Sequence, residues 1–391
     1  MKIALVHKKY TTHGGTERYM VGLSNFLVQN GHQVHVFTGS WNEKVADDRI
    51  TFHKVPCWGK HLGIDKYIFA RSVYKKVQKY NFDIVQTFSR VGFGDVIRIG
   101  GGCHENYVQR LMGSIDDSLY KLKKRLEYKL SFDDYFTRYY EAKDFKPNNY
   151  KKIVAVSQMV KDEVIAKYQV PAEDIIVNHN GVNIKKFHPE NQTEYRLKIR
   201  KEHGLDKDDL VLLFVGTGFR RKGLEYILKA MTKINGVKLL VVGKGKINRF
   251  KRKARELNIL SNVIFAGPVS NVEAYYAAGD IFVFPSIYDP CANVSLEAMA
   301  SGLPLITTQT NGASGIINHG ENGFILDNSE NVEQLISYIK RLTDQDLRAG
   351  MSKAAREKML DYTKEANHQK MLEVYRQIAN KQRSESRIEI K

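Results

Sequence analysis

The feature that most constrains this chain is a rhythm of short apolar runs separated by longer segments of helical period. Ile3 to Val6, Val34 to Phe37, Phe82 to Thr87, Val96 to Ile99 and Ile153 to Val156 form one series; Leu210 to Val215, Val237 to Val242, Val263 to Phe265, Ile281 to Phe284 and Leu305 to Thr307 form a second. Runs that are apolar at consecutive positions, not alternate ones, are strands buried on both faces, which means parallel sheets covered by helices on each side. In such sheets the functional loops leave the C-terminal ends of the strands. A chain of 391 residues, 42% hydrophobic and 27% charged, has enough apolar material for two cores.

Four of these loops carry chemistry. After Ile281 to Phe284 the chain breaks at Pro285, crosses a small-residue loop and enters a short apolar helix near Ala292 or Asn293, which Gly302 ends before Pro304 opens the next strand. Asp289 in the loop and Glu297 in the helix frame that passage, with seven residues between them. The free N–H groups of Val294 and Ser295, at the positive end of the helix dipole, suit a phosphate. An ordinary crossover with an acid near its N-terminus fits the spacing equally well. The loop Gly216 to Gly223 brings Arg220, Arg221 and Lys222 to the end of another strand; standing alone, they would be solvated loop charges. Gly14 and Gly15 lie between a first strand and helix, where backbone can approach a phosphate closely, yet the G-x-G-x-x-G spacing of dinucleotide binders is absent. Gly100, Gly101 and Gly102 form a flexible loop ahead of Cys103 and His104; a lone histidine is more often structural than functional.

Ser118 to Leu130 is the most basic short helix, with Leu119, Leu122, Leu126 and Leu130 on one stripe and Lys121, Lys123, Lys124, Arg125 and Lys129 over the rest. It reads as a surface helix or as an interfacial one with its leucines at the headgroup boundary, next to the tyrosines between 135 and 140. The formal charge of +18 asks for an anionic partner. No basic platform interleaved with aromatics is present, so nucleic acid is set aside. No apolar run reaches membrane-span length, and the N-terminal residues read as a strand, not a signal peptide. Cys57, Cys103 and Cys291 show no paired spacing and read as reduced thiols of a cytoplasmic protein.

Taken together, Gly14-Gly15, Asn180-Gly181-Val182, Arg221-Lys222-Gly223 and the passage from Asp289 to Glu297 resemble the motifs of the family 4 glycosyltransferases with the GT-B fold. The resemblance spans nearly the whole chain. Three positions depart from the family pattern: Asp289 stands where glutamate is commoner, Asn183 replaces the aspartate of the N-G-V-D turn, and Thr217 occupies the place of an arginine that Arg220 or Arg221 would substitute. It implies an α/β chain with two Rossmann-like domains facing across a cleft. The expected division is an acceptor-binding domain over 1–174, a nucleotide-sugar-binding domain over 175–362, and over 363–391 a helix returning to the first domain followed by a polar tail, 381–391, without regular structure.

By the same resemblance Arg221 and Lys222, with Arg220, clamp the donor diphosphate together with Gly14, Gly15 and the helix N-terminus at Val294 and Ser295. Glu297 meets the ribose, Asp289 and Asn293 the hexose, Val269 the base, and His104 the donor sugar or reacting phosphate. The implied reaction is retaining hexosyl transfer with no metal and no cofactor beyond the nucleotide-sugar donor. Within the family, the resemblance points to enzymes that glucosylate the lipopolysaccharide core: UDP-glucose as donor, a glycolipid acceptor, and a peripheral position on the cytoplasmic face of the inner membrane held by the 118–130 helix. UDP-N-acetylglucosamine, UDP-galactose or GDP-mannose as donor, a non-lipid acceptor, and a non-catalytic nucleotide-sugar-binding protein are the alternatives.

Overall fold

The computed structural model describes residues 1–115 and 117–389, which form two compact units: residues 1–179 with the stretch from Asn367 onward, and Asn180–Ala366. The first unit contains β1 (Lys2–Val6), β2 (Lys9–Tyr10), α1 (Gly15–Gln29), β3 (Gln33–Thr38), β4 (Ser40–Trp41), β5 (Thr51–Lys54), α2 (Asp65–Val77), β6 (Ile84–Thr87), β7 (Val96–Ile99), α3 (His104–Gly113), α4 (Ser118–Leu130), α5 (Phe132–Asp144), β8 (Lys152–Ala155), α6 (Gln158–Tyr168) and β9 (Ile175–Val177). The second contains α7 (Asn191–Glu202), β10 (Leu210–Val215), α8 (Leu224–Met231), β11 (Val237–Val242), α9 (Ile247–Glu256), β12 (Val263–Gly267), α10 (Val272–Ala278), β13 (Ile281–Phe284), α11 (Asn293–Ala300), β14 (Leu305–Thr308), β15 (Gly323–Leu326), α12 (Val332–Arg341) and α13 (Gln345–Met359). The last helix, α14 (Lys364–Glu389), starts in the second unit and belongs to the first from Asn367.

The first unit is built on a seven-stranded parallel sheet in the order β5-β3-β1-β6-β7-β8-β9. The consecutive apolar residues of β1 serve both of its faces, as period-two geometry demands. Ile3 and Leu5 pack with Met20, Leu23 and Leu27 of α1 and with Met371, Leu372, Tyr375 and Ile378 of α14. Ala4 and Val6 pack on the other side with Phe69, Ala70 and Val73 of α2 and Tyr140 of α5. The Tyr375 hydroxyl donates to the Gln86 side chain of β6, so the helix is anchored by a buried polar contact as well as by its apolar stripe.

The second unit carries a six-stranded parallel sheet, β12-β11-β10-β13-β14-β15. Chain order runs outward in both directions from the β10/β13 pair. That pair is the topological switch point, the crevice where doubly wound sheets bind ligands.

The structure moves several boundaries. The second domain does not begin at 175: Ile175, Ile176 and Val177 pair with Ile153, Val154 and Ala155, so this strand is the edge of the first sheet and the division falls after His179. The tail expected to be irregular continues α14 as far as Glu389, while 390 and 391 lie outside the described residues. His104 opens α3 directly after the glycine loop and Cys103. Between His188 and Asp209 lies α7, largely at the surface, but its Arg200 is 1% exposed. Its guanidinium pairs with Asp280 at 2.8 Å and donates to the carbonyls of Ala278, Asp206, Lys207 and Asp209. Asp280 also accepts from Arg196 and from the Val211 N–H, which ties α7 to the start of β10. Arg200→Met is expected to destabilise this unit by about 3–5 kcal/mol, since it strands a buried carboxylate and four carbonyls. Chemical denaturation checks it, and a loss below ~1 kcal/mol would mean that Arg196 and water satisfy Asp280.

Candidate active site

Two loops meet at the switch point of the second unit. The one after β10 runs from Gly216 to Gly223, and the one after β13 from Pro285 to Ala292. Gly223 sits at φ +82°, and a side chain there would collide with the Pro285 carbonyl. A glycine is therefore required both by the backbone and by the approach of the second loop. The Ile287 N–H donates to the Arg221 carbonyl at 2.9 Å, which registers the loops against each other.

This register brings Lys222, Arg221 and Asp289 together. The Lys222 ammonium contacts Asp289 Oδ2, and Arg221 Nη1 lies 3.3 Å from the same oxygen and 2.9 Å from the Tyr288 carbonyl it donates to. Lys222 is buried, with its ammonium 5.0 Å from the centre of the Phe284 ring. Burial, then the neighbouring Arg221 charge, push its pKa well below the usual lysine range, while the Asp289 contact favours the charged form. Two cations against one carboxylate leave an excess positive charge in a place poorly screened by water.

Beside this cluster α11 begins. Ala292 at its N-cap has no side chain with which to cap the first turn. The Ser295 N–H turns back to the Ala292 carbonyl at 3.0 Å, so of the expected pair of donors it is Val294 whose N–H meets no acceptor among the described residues. Asn293 is fixed from outside the helix: its Oδ1 accepts from Asn180 Nδ2 at 2.8 Å. Glu297 is buried one turn on, where Oε2 accepts from the Tyr276 hydroxyl at 3.0 Å. Arg220 is half-buried in the same loop as Arg221, and Val269 is half-buried just beyond the end of β12.

Three residues that spacing does not single out hold this arrangement. Asn311 is fully buried; its amide donates to Ser295 Oγ and Thr307 Oγ1 and its oxygen accepts from Ala292 N–H, joining the loop, the helix and β14. Tyr276 orients Glu297, and Asn180 orients Asn293. The Asn-Gly dipeptides at 180 and 311 were the available signal, yet they mark a turn without saying what the side chain holds.

The remaining candidates belong to the first unit. Gly14 caps α1 at φ +100°, and a side chain there would strike the Glu17 carboxylate. That carboxylate, pulled below its usual range chiefly by a hydrogen bond from His7, lies 3.6 Å from the His7 ring. Gly15 is the first residue of α1. His104 packs its ring nitrogen Nε2 at 2.7 Å from Asp134 on α5, while its N–H donates to the Glu141 carboxylate at 3.0 Å. Burial lowers its pKa, with Arg90 adding to the effect and Asp134 opposing it. Glu141, itself buried, also accepts from Arg90 and from the Tyr168 hydroxyl, and Arg90 in turn donates to the Gly102 carbonyl. One carboxylate thus fixes the glycine loop and the start of α3. His104 faces a cavity walled by α3, α4 and α5.

Comparison with known proteins bears on the family and the fold. Residues 13–186 match the model of the Glycosyltransferase Family 4 domain and residues 196–358 that of the Glycosyl transferases group 1 domain. The chain is 27% identical over 339 residues to the uncharacterized glycosyltransferase MJ1607 of Methanocaldococcus jannaschii, covering 83% of this chain and 84% of that one. It is 25% identical over 362 residues to the lipopolysaccharide glucosyltransferase WaaG of Escherichia coli, covering 91% and 93%. The crystal structure of WaaG, a glycosyltransferase involved in lipopolysaccharide biosynthesis, aligns with a TM-score of 0.79 at 23% identity over 95% of this chain and 99% of that one. With doubly wound parallel sheets in both units and family matches across the two halves, the chain belongs to the family 4 glycosyltransferases and has the GT-B fold.

Proposed function

We propose that the chain transfers a glucosyl group from UDP-glucose to a glycolipid of the lipopolysaccharide type, with retention at the anomeric carbon. The observation that carries the reading is the pairing of Arg221 and Lys222 with the open first turn of α11 at the switch point. A leaving nucleoside diphosphate gains negative charge as the sugar–phosphate bond breaks. Donors already fixed in a place poor in water stabilise that charge without reorganising. Asp289 keeps both cations in position through Oδ2, and a carboxylate paired with two cations is a poor nucleophile. The acceptor hydroxyl therefore attacks C1 from the face the diphosphate leaves. The new bond joins acceptor oxygen to C1, the bond from C1 to the phosphate oxygen breaks, and that phosphate oxygen takes the hydroxyl proton. Positive charge comes from Arg221, Lys222 and Val294 N–H, so no divalent metal enters this reading. Glu297, presented by Tyr276, accepts from the ribose hydroxyls, and Asn293 meets the hexose. Glucose as the transferred sugar and a lipopolysaccharide acceptor rest on the similarity to WaaG, and UDP as the carrier on the family resemblance.

In this reading the first unit binds the acceptor and touches the membrane. Support comes from α4, which faces the wrong way for an ordinary surface helix. Its leucines point outward, with Leu119, Leu122, Leu126 and Leu130 exposed at 79%, 55%, 50% and 77%. Phe132 and Tyr135 of α5, also exposed, extend the patch. Flanking lysines and an apolar face of this kind suit an anionic bilayer surface, where each basic residue contributes about 1 kcal/mol. No helix among the described residues is long and apolar enough to cross a membrane.

Two outcomes test the reading. Lys222→Ala is expected to lower turnover by about 10²–10³-fold, and Glu297→Ala to weaken UDP-glucose binding by about tenfold or more. Titration of the wild type against UDP-glucose, UDP-N-acetylglucosamine, UDP-galactose and GDP-mannose, then turnover of both variants, measures this; unchanged kinetics in both would remove the site assignment. Separately, Leu122→Asp with Leu126→Asp should abolish sedimentation with anionic phosphatidylglycerol vesicles while leaving UDP affinity intact. Vesicle binding as strong as that of the wild type would place the membrane contact elsewhere.

A further inference from the structure

The outward turn of the leucines has a counterpart on the other side of α4. Lys121, Arg125, Tyr128 and Lys129 line the cavity that His104 faces, a space of about 370 Å³. Its opposite wall is α3, with Val108, Gln109 and Met112, and Arg138 of α5 completes it. The size falls in the range of about 300–1,000 Å³ typical of small-ligand sites.

The charges around this cavity are unbalanced. Among the described residues, Glu105, which lines the cavity, is paired with Lys167, and on the neighbouring helices Asp134 contacts His104 and Glu127 pairs with Lys124. Lys121, Arg125, Lys129 and Arg138 have no ion-pair partner among the described residues. Four cations from two helices converging on one concavity repel one another, and an anion relieves that repulsion. Two of them are arginines, whose planar forks match a phosphate. A phosphate alone is small for this space, and the lining between the cations is largely apolar: Val108, Met112 and the ring of Tyr128. Gln109 adds one hydrogen-bonding amide. Apolar side chains and an aromatic ring beside a cationic rim match the C–H face of a sugar ring that bears an anionic substituent.

We infer that the α3/α4/α5 cavity binds a sugar carrying a phosphate monoester, the part of the acceptor that anchors it to the first unit. The inference rests on the reading of that unit as the acceptor side. The cations hold the phosphate, Tyr128 and Met112 lie against the ring, and His104, oriented by Asp134, borders the sugar's position. Because α4 carries the membrane-facing leucines on its outer side, a glycolipid headgroup bound here lies directly behind the bilayer contact.

The test is calorimetric titration of the full chain, with excess UDP present to occupy the donor diphosphate site, using glucose 6-phosphate, glucose and inorganic phosphate as probes. Glucose 6-phosphate is expected to bind about tenfold or more tightly than either fragment. Arg125→Ala with Arg138→Ala should lose that binding while UDP affinity stays the same, which also shows that the variant is folded; Lys222→Ala should retain it. Inorganic phosphate binding as well as the sugar phosphate, no binding of the sugar phosphate by the wild type, or undiminished binding by the double variant would each overturn the proposal. So would a double variant that loses only its affinity for phosphatidylglycerol vesicles, since the cavity would then take a lipid headgroup. Failure of the glycosyltransfer reading shows up separately, as absence of UDP-glucose binding with sugar phosphate binding intact.

Discussion

The contact between the Gly223 backbone and the Pro285 carbonyl is the constraint on which the candidate active site depends. It lets the β10 and β13 loops approach until a backbone hydrogen bond, Ile287 to Arg221, sets their register. Once that is set, the positions of Lys222, Arg221 and Asp289 follow, because each is within two residues of the contact or of that bond. The cost is a buried lysine, increased by the neighbouring Arg221 charge and offset locally because Asp289 neutralises it and Phe284 lies under it. Asp289 is held in turn by backbone pairing with Thr310 and Gly312, so the charged cluster hangs on the sheet and not on flexible side chains.

The first unit solves a different problem, that of presenting charge without burying it. Helix α4 has no buried residue, and its apolar stripe faces away from the body of the unit. In water alone such an arrangement forfeits the usual reward for an amphipathic helix, about 1.5–3 kcal/mol for each buried leucine. Local order comes from elsewhere. Asp117 caps its first turn through the Tyr120 N–H, and Ser131 caps α5 through the Asp134 N–H. In the proposed membrane contact a bilayer surface would supply that burial.

Buried charge recurs as a structural device in both units. Arg200 binds α7 to the sheet through Asp280 and a set of carbonyls, and Glu141 gathers Arg90, Tyr168 and the backbone of His104. Each satisfies most of its hydrogen-bonding capacity, the condition under which a buried ion is tolerated. Neither was legible in the chain. Arg200 sits in a polar segment that reads as surface, and Glu141 in a stretch of tyrosines and charges with little periodicity.

Much of the architecture was determined by the sequence alone. Consecutive apolar residues in runs such as Leu210 to Val215 required strands buried on both faces, and Gly302 with Pro304 stopped α11 where spacing predicted. Local sequence also placed the glycine loops, the basic loop and the two acids of the 289–297 passage. What it did not contain was strand order. That β10 and β13 are neighbours, bringing Arg221 and Lys222 against Asp289, follows from long-range pairing that no local pattern encodes. The direction of α4 was equally open. A stripe of leucines opposite a field of lysines specifies a helix with two faces, but only the packing of α3 and α5 decided that the cations would turn towards the cavity and the leucines towards solvent.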